Sequence, residues 1–307
     1  MAQILMCKNK QVYNIDSHDI LNKALLPGSM QKSPCNDTYR LWIKERYNSG
    51  SNTLARLLQG KAFGQGNRPK IDANTFALSL SDCYWIKNDD VEIAFEDVSP
   101  YYNDFWTGSG EYTSGSIPTL YVPGAMSKEW LDKEHLKKDG DASALNRELS
   151  AIEFCKKCNV PVNDAFFQDN SLIVLNFTSP SIMLEQANMS GRIDSYDFTV
   201  ADIINEFGVF GAQMLTIDAI VGNGDRHAGN FGFLRNPDTG EYTGFAPLYD
   251  FDHAFDAAGT DKPDVLIKEL KNIPAEFQNE IYRICDIGLS CDNEIINKRA
   301  RIVKEYV

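Results

Sequence analysis

The sequence lacks the features that mark membrane and secreted proteins. Nowhere in its 307 residues do eighteen uncharged apolar residues follow one another, so we expect no membrane-spanning helix. The apolar run at its start is too short for a signal peptide, and we therefore expect the protein in the cytoplasm. Seven cysteines, an odd number spread along the chain, fit reduced thiols better than a disulfide framework.

Basic residues are scarce relative to acidic ones. The chain has 30 lysines and arginines against 43 aspartates and glutamates, a net charge of −13, and we find no local basic patch. Such a surface repels phosphate backbones, so we expect no direct binding of nucleic acid. The composition, 43% hydrophobic and 24% charged, is otherwise that of a folded globular protein. The chain is also long enough for two lobes with separate cores.

Two cysteines, Cys155 and Cys158, have a spacing that zinc sites and redox motifs also use. A zinc site needs further ligands, and neither a second cysteine pair nor a nearby histidine accompanies them. Both lie on a predicted helix at the spacing of core residues. We therefore predict that they pack in the core rather than bind metal.

The sequence does contain a set of polar side chains suited to phosphoryl transfer. Asp225 lies in a glycine-containing loop, Asn230 follows five residues later, and Asp250 comes after a hairpin predicted over residues 231–249. In kinases one aspartate orients the acceptor hydroxyl, an asparagine five residues on binds metal, and another aspartate carries the magnesium that bridges the ATP phosphates. Aspartate and asparagine at this spacing also occur by chance in loops, but the hairpin would fold Asp250 back beside Asn230 and favours a shared magnesium site.

The motif Gly-Asp-Arg-His-Ala-Gly-Asn-Phe at residues 224–231, followed by Pro-Leu-Tyr-Asp, resembles the HipA-type serine/threonine kinases, relatives of the phosphatidylinositol-kinase-like fold. The resemblance covers about residues 115–255. It implies an α+β, two-lobed protein-kinase-like fold with an N-terminal accessory region, and ATP and Mg²⁺ as cofactors. The site residues that it implies in this stretch are Asp225 as the catalytic residue, Asn230 and Asp250 as metal ligands, and Arg226 and His227 near the γ-phosphate.

The resemblance leaves the acceptor and the partners open. It implies serine or threonine hydroxyls of a protein substrate, and a small DNA-binding, antitoxin-like protein as partner. The loop is also similar to that of aminoglycoside phosphotransferases, which would give a small hydroxylated molecule as acceptor. A third hypothesis is a catalytically silent nucleotide-binding scaffold, because Asp252 stands where many kinases have glycine and Met126 stands where the family has glutamine.

The resemblance further implies a phosphate-side loop, in which glycine lets backbone N–H groups approach phosphate oxygens. Its residues are Gly124, Ala125, Met126, Ser127 and Lys128. By sequence alone this stretch is more typical of a plain turn. Tyr121 occupies the position where the family often has a regulatory serine. A tyrosine hydroxyl stands farther from the backbone than a serine hydroxyl, so we expect any autophosphorylation within residues 114–127 to spare Tyr121 and to be inhibitory.

A lysine and a glutamate are predicted to form the ion pair found in kinases. Residues 135–138 read as a strand, and the resemblance puts the ATP-binding lysine on Lys138, with Lys137 facing the opposite side because strand side chains alternate. The helix predicted over residues 144–158 carries an apolar stripe with Glu148 beside it. Glu148 is the natural partner of Lys138, although an exposed helix glutamate is the alternative.

The elements that follow organise the rest of the site. A second hairpin is predicted over residues 163–177, and its exit at Asn176 and Phe177 would be the hinge whose backbone meets adenine. The segment up to about residue 197 reads as loop-rich and could carry substrate specificity. A long amphipathic helix is predicted over residues 199–221 and would hold the catalytic loop rigid.

We accordingly divide the chain into three regions. Residues 1–110 form an accessory region to which we assign no role. Residues 111–178 form the kinase N-lobe with the phosphate-side loop. Residues 179–307 form a mostly helical C-lobe with the catalytic loop, ending in further helices after residue 263.

Overall fold

The computed structural model describes residues 2–47, 78–102, 127–193, 198–256 and 264–307. Helices and antiparallel sheets are mixed in this part of the chain. The strands are β1 (Gln3–Cys7), β2 (Lys10–Asn14), β3 (Tyr84–Asn88), β4 (Ser127–Trp130), β5 (His135–Asp139), β6 (Ala165–Gln168), β7 (Ser171–Leu175), β8 (Met183–Gln186), β9 (Gly232–Arg235) and β10 (Tyr242–Phe245). The helices are α1 (Gly28–Lys32), α2 (Asn36–Tyr47), α3 (Phe95–Val98), α4 (Ala142–Lys157), α5 (Val200–Val221), α6 (Val265–Glu269), α7 (Gln278–Leu289) and α8 (Glu294–Tyr306).

The middle sheet has the strand order β4-β5-β7-β6 and confirms the predicted strand and hairpin. In β5, Leu136 and Lys138 are buried, whereas Lys137 is only half-buried. This alternation is the one expected of a strand with one covered face. Strands β6 and β7 pair as a hairpin, and Asp169 has a φ of 54° in the turn between them.

Helix α4 connects β5 to this hairpin and packs against it. It begins at Ala142, two residues before the predicted start, because the Asp141 side chain accepts a hydrogen bond from the N–H of Ala144 and caps the helix. Cys155 and Cys158 are buried free thiols, so the prediction of core packing is confirmed. Burial raises the pKa of Cys158 to about 12, which keeps it as an inert thiol.

The long helix α5 leads directly into the loop of residues 222–230, as predicted; this loop is the predicted catalytic loop. It starts with a capping box between Thr199 and Asp202 and ends at Gly222, which adopts the left-handed conformation with a φ of 66°. Gly208, with a φ of 52°, kinks the helix, which the apolar periodicity does not indicate. The helix is long and apolar enough to cross a membrane, but 67% of its most apolar window is buried inside the protein. Its composition is therefore that of a core helix.

The third sheet has the order β10-β9-β8 and contains a strand that the sequence analysis missed. The hairpin of β9 and β10 is the one predicted after the catalytic loop, and Gly240 in its turn has a φ of 79°. The segment predicted as loop-rich up to residue 197 contains one strand that was not predicted, β8, which pairs with β9 along its whole length. One of the two buried positions of β8 is Glu185. Because this residue is charged, the buried–exposed alternation of the strand is not visible as an alternation of apolar and polar residues.

The N-terminal part of the chain has its own apolar core and docks on the third sheet. Strands β1, β2 and β3 form a sheet whose buried residues pack with those of α2 and α3. Arg235 on β9 is fully buried and donates hydrogen bonds to the carbonyls of Ala24 and Leu26, both at 2.7 Å, and to the Tyr84 hydroxyl at 3.0 Å. Glu185 faces the same cluster, 3.4 Å from Arg235. This buried network fixes the N-terminal part against the sheet next to the catalytic loop.

The predicted helices after residue 263 are present as α6, α7 and α8. Helices α7 and α8 pack on each other and on α5. Arg299 on α8 donates two hydrogen bonds to the carbonyl of Ala219 and pairs with Asp264 at 2.6 Å. These helices support α5 from the side away from the site.

Candidate active site

A cleft opens between the middle sheet and the loop that follows α5. It contains about 980 Å³ of space, a figure that includes the solvent at its open mouth. Seven of the predicted site residues line it: Lys128, Lys138, Glu148, Asn176, Phe177, Asn230 and Asp250. The fold thus gathers side chains that lie up to 122 positions apart in sequence.

A cluster of two lysines and two carboxylates occupies the inner end of the cleft. Lys138 Nζ lies 2.6 Å from Glu148 Oε1 and 3.2 Å from Asp250 Oδ1. Lys128 Nζ lies 3.0 Å from the same Asp250 oxygen. Lys138 and Glu148 are only 3% and 1% exposed, so the predicted ion pair is present and the alternative of an exposed glutamate is wrong.

The cluster holds Asp250 and Lys138 in their charged forms. Burial alone would raise the pKa of Asp250, but Lys128 and Lys138 outweigh it and hold that pKa well below its ordinary value. Burial alone would lower the pKa of Lys138, but Glu148 and Asp250 keep it above its ordinary value. The inner end of the cleft therefore offers an ionised carboxylate between two ammonium groups, which suits a metal ion and phosphate oxygens.

The predicted catalytic loop is a compact turn that starts at the end of α5. The N–H of His227 donates to the carbonyl of Asp225, and the N–H of Asn230 donates to the carbonyl of His227, at 2.9 and 2.8 Å. Asn230 also donates from its side-chain amide to the Asp225 carbonyl at 3.2 Å. The remaining side-chain oxygen of Asn230 is the atom suited to a cation, while the Asp225 side chain, 54% exposed, stands at the solvent edge.

Arg226 does not occupy the position that the sequence analysis gave it. Its guanidinium points into the protein and pairs with Asp218 on α5 through two hydrogen bonds of 2.9 Å. It also donates to the carbonyls of Asn230 and Tyr249, at 3.0 and 2.6 Å, and lies over the Phe251 ring. The expectation that Arg226 sits near the γ-phosphate is therefore wrong; it links the catalytic loop to the segment that carries Asp250.

His227 is exposed and does not line the cleft in the described chain. Its Nδ1 accepts a hydrogen bond from the N–H of Gly229 at 3.1 Å, so the ring proton belongs on Nε2. A Cβ added to Gly229 would approach the His227 ring within 3.0 Å. Glycine at this position therefore lets the ring fold over the loop.

A histidine that the sequence analysis did not single out faces Asp225, the predicted catalytic residue. His253 Nε2 lies 3.9 Å from Asp225 Oδ2, and its Nδ1 lies 2.9 Å from Asp256 Oδ2. Arg147, next to Glu148 on α4, pairs with Asp256 at 3.1 Å. Burial works against protonation of His253, but Asp256, Asp252 and Asp225 raise its pKa above the ordinary value. The only feature of the sequence that could have pointed to His253 as a site residue is its position three residues after Asp250.

The predicted hinge lies at the other end of the cleft. The N–H of Asn176 donates to the carbonyl of Glu134, which fastens the chain as it leaves β7. The carbonyl of Asn176 and the N–H of Phe177 make no hydrogen bond within the described residues, and both residues line the cleft. A backbone acceptor and donor in this position suit the edge of a purine.

Part of the predicted phosphate-side loop lies outside the described residues, namely Gly124, Ala125 and Met126. The same holds for the modification sites predicted between residues 114 and 126. The backbone of Ser127 begins β4, and Lys128 follows on the same strand with its ammonium group on Asp250. Lys128 is thus the residue of the predicted phosphate-side loop that the structure places in the cleft.

The cleft residues fit the ATP and Mg²⁺ that the family resemblance implies. Asp250 and Asn230 supply oxygen ligands of the kind magnesium prefers. Glu148 Oε2 is buried and has no hydrogen-bond partner within the described chain, as expected where a bound group or its water completes the site. Trp130, Leu136 and Val174 line the part between the lysines and the hinge and form an apolar slot for a planar base.

No protein-family model matches the sequence, and no curated protein matches it. Among solved structures, the chain is similar to HipA of the toxin–antitoxin system of Shewanella oneidensis MR-1, which was solved with HipB and operator DNA. The two sequences are 12% identical, and the TM-score is 0.54 over 99% of this chain and 95% of that one. It is also similar to the Helicobacter pylori proinflammatory kinase CtkA, at 18% identity and a TM-score of 0.39 over 59% of this chain and 90% of that one. The similarity to HipA confirms the predicted two-lobed α+β fold of the HipA-type kinases.

Proposed function

We propose that the protein is an ATP- and magnesium-dependent kinase that transfers the γ-phosphoryl group to a hydroxyl. The observation that carries the proposal is the junction of Lys138, Glu148 and Asp250 at the inner end of one cleft, with Asn230 on its wall. Phosphoryl transfer depends almost wholly on positioning and on the neutralisation of charge. The cleft has groups for both tasks.

Each group has a task that follows from its surroundings. Asp250 and Asn230 would hold magnesium, which would neutralise the developing charge on the phosphates. Lys138, fixed by Glu148, orients phosphate oxygens. Lys128, whose ammonium group lies beside the same carboxylate, would contact a phosphate oxygen. Asp225, at the open edge, holds the acceptor hydroxyl in line and takes its proton.

The acceptor that we propose is a serine or threonine hydroxyl of a protein substrate. Support comes from the HipA-type fold and from the exposure of Asp225, which a bulky acceptor can reach. We also propose that residues 111–178 and 179–307 act as the two lobes that enclose the nucleotide, and that the protein works in the cytoplasm. The HipA of Shewanella oneidensis was solved with HipB and operator DNA, and a small DNA-binding protein is accordingly the partner that we propose.

Incubation of a cell lysate with the purified protein and ATP carrying a labelled γ-phosphate tests the acceptor. Mass spectrometry should find label on serine or threonine residues of a protein with the wild type, and no label with Asp225→Asn. Label only in a small molecule would support the aminoglycoside-type alternative. Binding of ATP without transfer to either would support the scaffold alternative, for which Asp252 in place of glycine is the motivation.

Regulation by the phosphate-side loop is a separate proposal. Phosphate added within residues 114–127 would bring roughly −1.5 to −2 charge beside the ATP phosphates and lower activity. Peptide mapping after incubation with ATP should find phosphate on serine or threonine in this segment and none on Tyr121. Phosphate on Tyr121, or higher activity of the modified protein, would contradict this proposal.

A further inference from the structure

A short segment of the accessory region stands at the mouth of the cleft. Ser79 and Ser81 line it, together with the hinge residues and with Leu184 and Gln186 on β8. Both serines are half-buried. They precede β3 and belong to the region to which the sequence analysis assigned no role, so the wall that they form is not a part of either lobe.

This segment is fastened to both sides of the cleft. The carbonyl of Leu80 accepts hydrogen bonds from the Tyr101 hydroxyl at 2.8 Å, from the Asn176 amide at 3.2 Å and from the Thr178 hydroxyl. The carbonyl of Ser81 accepts from the N–H of Leu184 at 2.7 Å. The accessory region is therefore joined directly to the hinge and to β8, which makes this part of the wall rigid.

The Ser81 hydroxyl is the polar group of this segment that is available to a ligand. The N–H of Ser81 donates to the Ser79 hydroxyl at 3.0 Å, which fixes the local turn, but the Ser81 hydroxyl makes no hydrogen bond within the described part of the chain. It belongs to the same wall as the carbonyl of Asn176 and the N–H of Phe177. A hydroxyl can donate and accept, so it can complement either a purine edge or a ribose hydroxyl.

The position along the sheet agrees with a nucleoside at this end. Strand β5 pairs His135 with Leu175, beside the hinge, and Lys138 with Leu172. The two pairs are three positions apart along the strand, roughly 10 Å. This is the scale of the separation between the base and the terminal phosphates of an extended nucleoside triphosphate.

We propose that residues 79–81 form a wall of the nucleoside half of the cleft, and that the Ser81 hydroxyl hydrogen-bonds the base or ribose of the bound nucleotide. The inference rests on the proposed function and extends it, because it makes the accessory region a part of the nucleotide site. Ser81 is then a residue that sets nucleoside affinity, whereas Lys138 and Asp250 set phosphate and metal affinity.

Equilibrium binding of MgATP and of adenosine to the full chain tests the proposal. Ser81→Ala should weaken both ligands by the same factor, about 2- to 10-fold, since one hydrogen bond is lost. Ser81→Trp, which fills the mouth, should weaken both by at least about 10-fold. Ser17→Trp is the matched control, because Ser17 is exposed in the same region and is not among the residues that line the cleft. This variant should bind both ligands as the wild type does.

Asp250→Asn serves as the contrasting variant, since it should weaken MgATP and leave adenosine unchanged. Thermal unfolding without ligand shows whether each variant is folded. The inference is overturned if folded Ser81→Ala and Ser81→Trp bind both ligands like the wild type, if their loss is confined to MgATP, or if the wild type binds neither ligand. Binding with the expected pattern but without phosphoryl transfer would overturn the proposed function alone.

Discussion

Replacement of Lys138 by methionine isolates the energetics of the buried charge cluster. Lys138 is the partner of Glu148, a carboxylate that is 1% exposed and whose second oxygen has no partner within the described chain. Methionine has a similar length and can pack against the apolar lining near Leu136 and Ile152. The substitution therefore removes one charge while it leaves little empty space.

The loss of stability should be large because Glu148 would lie buried without its counter-ion. Breaking a buried pair by removing one partner costs about 3–5 kcal/mol, most of it the penalty of the charge left behind. Asp250 would lose one of its two lysines but keep Lys128 at 3.0 Å, so it should add little. The double variant Lys138→Met, Glu148→Leu removes both charges of the pair and should recover at least about 2 kcal/mol of the loss.

Urea unfolding followed by circular dichroism measures these differences. Lys137→Met is the matched control, because Lys137 is on the same strand and its pair with Asp139 is half-exposed; it should cost at most about 1 kcal/mol. The reasoning is refuted if Lys138→Met is no more destabilising than Lys137→Met. It is also refuted if the double variant is less stable than the single one.

Three further substitutions test separate parts of the structure. Arg226→Lys should cost about 2–4 kcal/mol of unfolding free energy in urea titrations, because lysine cannot replace the bidentate pair and the two carbonyl contacts. An unchanged stability would contradict the role of Arg226 in linking the loop to the segment that carries Asp250. Gly240→Ala should cost at least about 2 kcal/mol, because its φ is 79° and a Cβ would come within 2.0 Å of the Ala24 carbonyl, whereas Gly244→Ala, with open space around it, should be tolerated. His253 has a raised pKa, so the stabilisation that it gives relative to His253→Asn should be full below its ordinary pKa of about 6.5. This stabilisation should fall as the pH rises through the higher pKa of the folded protein. Unfolding free energies that show no such trend would contradict its ion pairs with the neighbouring aspartates.

The sequence was sufficient for local features and for pairs set by strand and helix geometry. Alternation in a strand with one covered face separates Lys138 from Lys137, and helical spacing brings Glu148 to the same side, so this pair was predictable. Strand β8 was missed because a buried Glu185 breaks the apolar pattern, and its partner Arg235 lies 50 positions away.

Contacts made across the chain were beyond the sequence analysis. A charged residue next to a catalytic aspartate looks like a phosphate ligand, and only the buried Asp218 on α5 shows that Arg226 turns inward. Ser81 reaches the hinge through contacts between segments almost a hundred residues apart, such as the 98 positions from Leu80 to Thr178. No local pattern marks it as part of a nucleotide site.

Calorimetric titration with MgATP, paired with a γ-phosphate transfer assay on the same samples, tests the central claim most directly. The wild type should bind MgATP. Asp250→Asn should lose binding that depends on magnesium, because the carboxylate held between Lys128 and Lys138 is the proposed metal ligand. Asp225→Asn should bind almost as tightly as the wild type while transfer falls by about 10²–10⁴-fold. Failure of the wild type to bind MgATP, or transfer that survives in Asp225→Asn, would contradict the proposal.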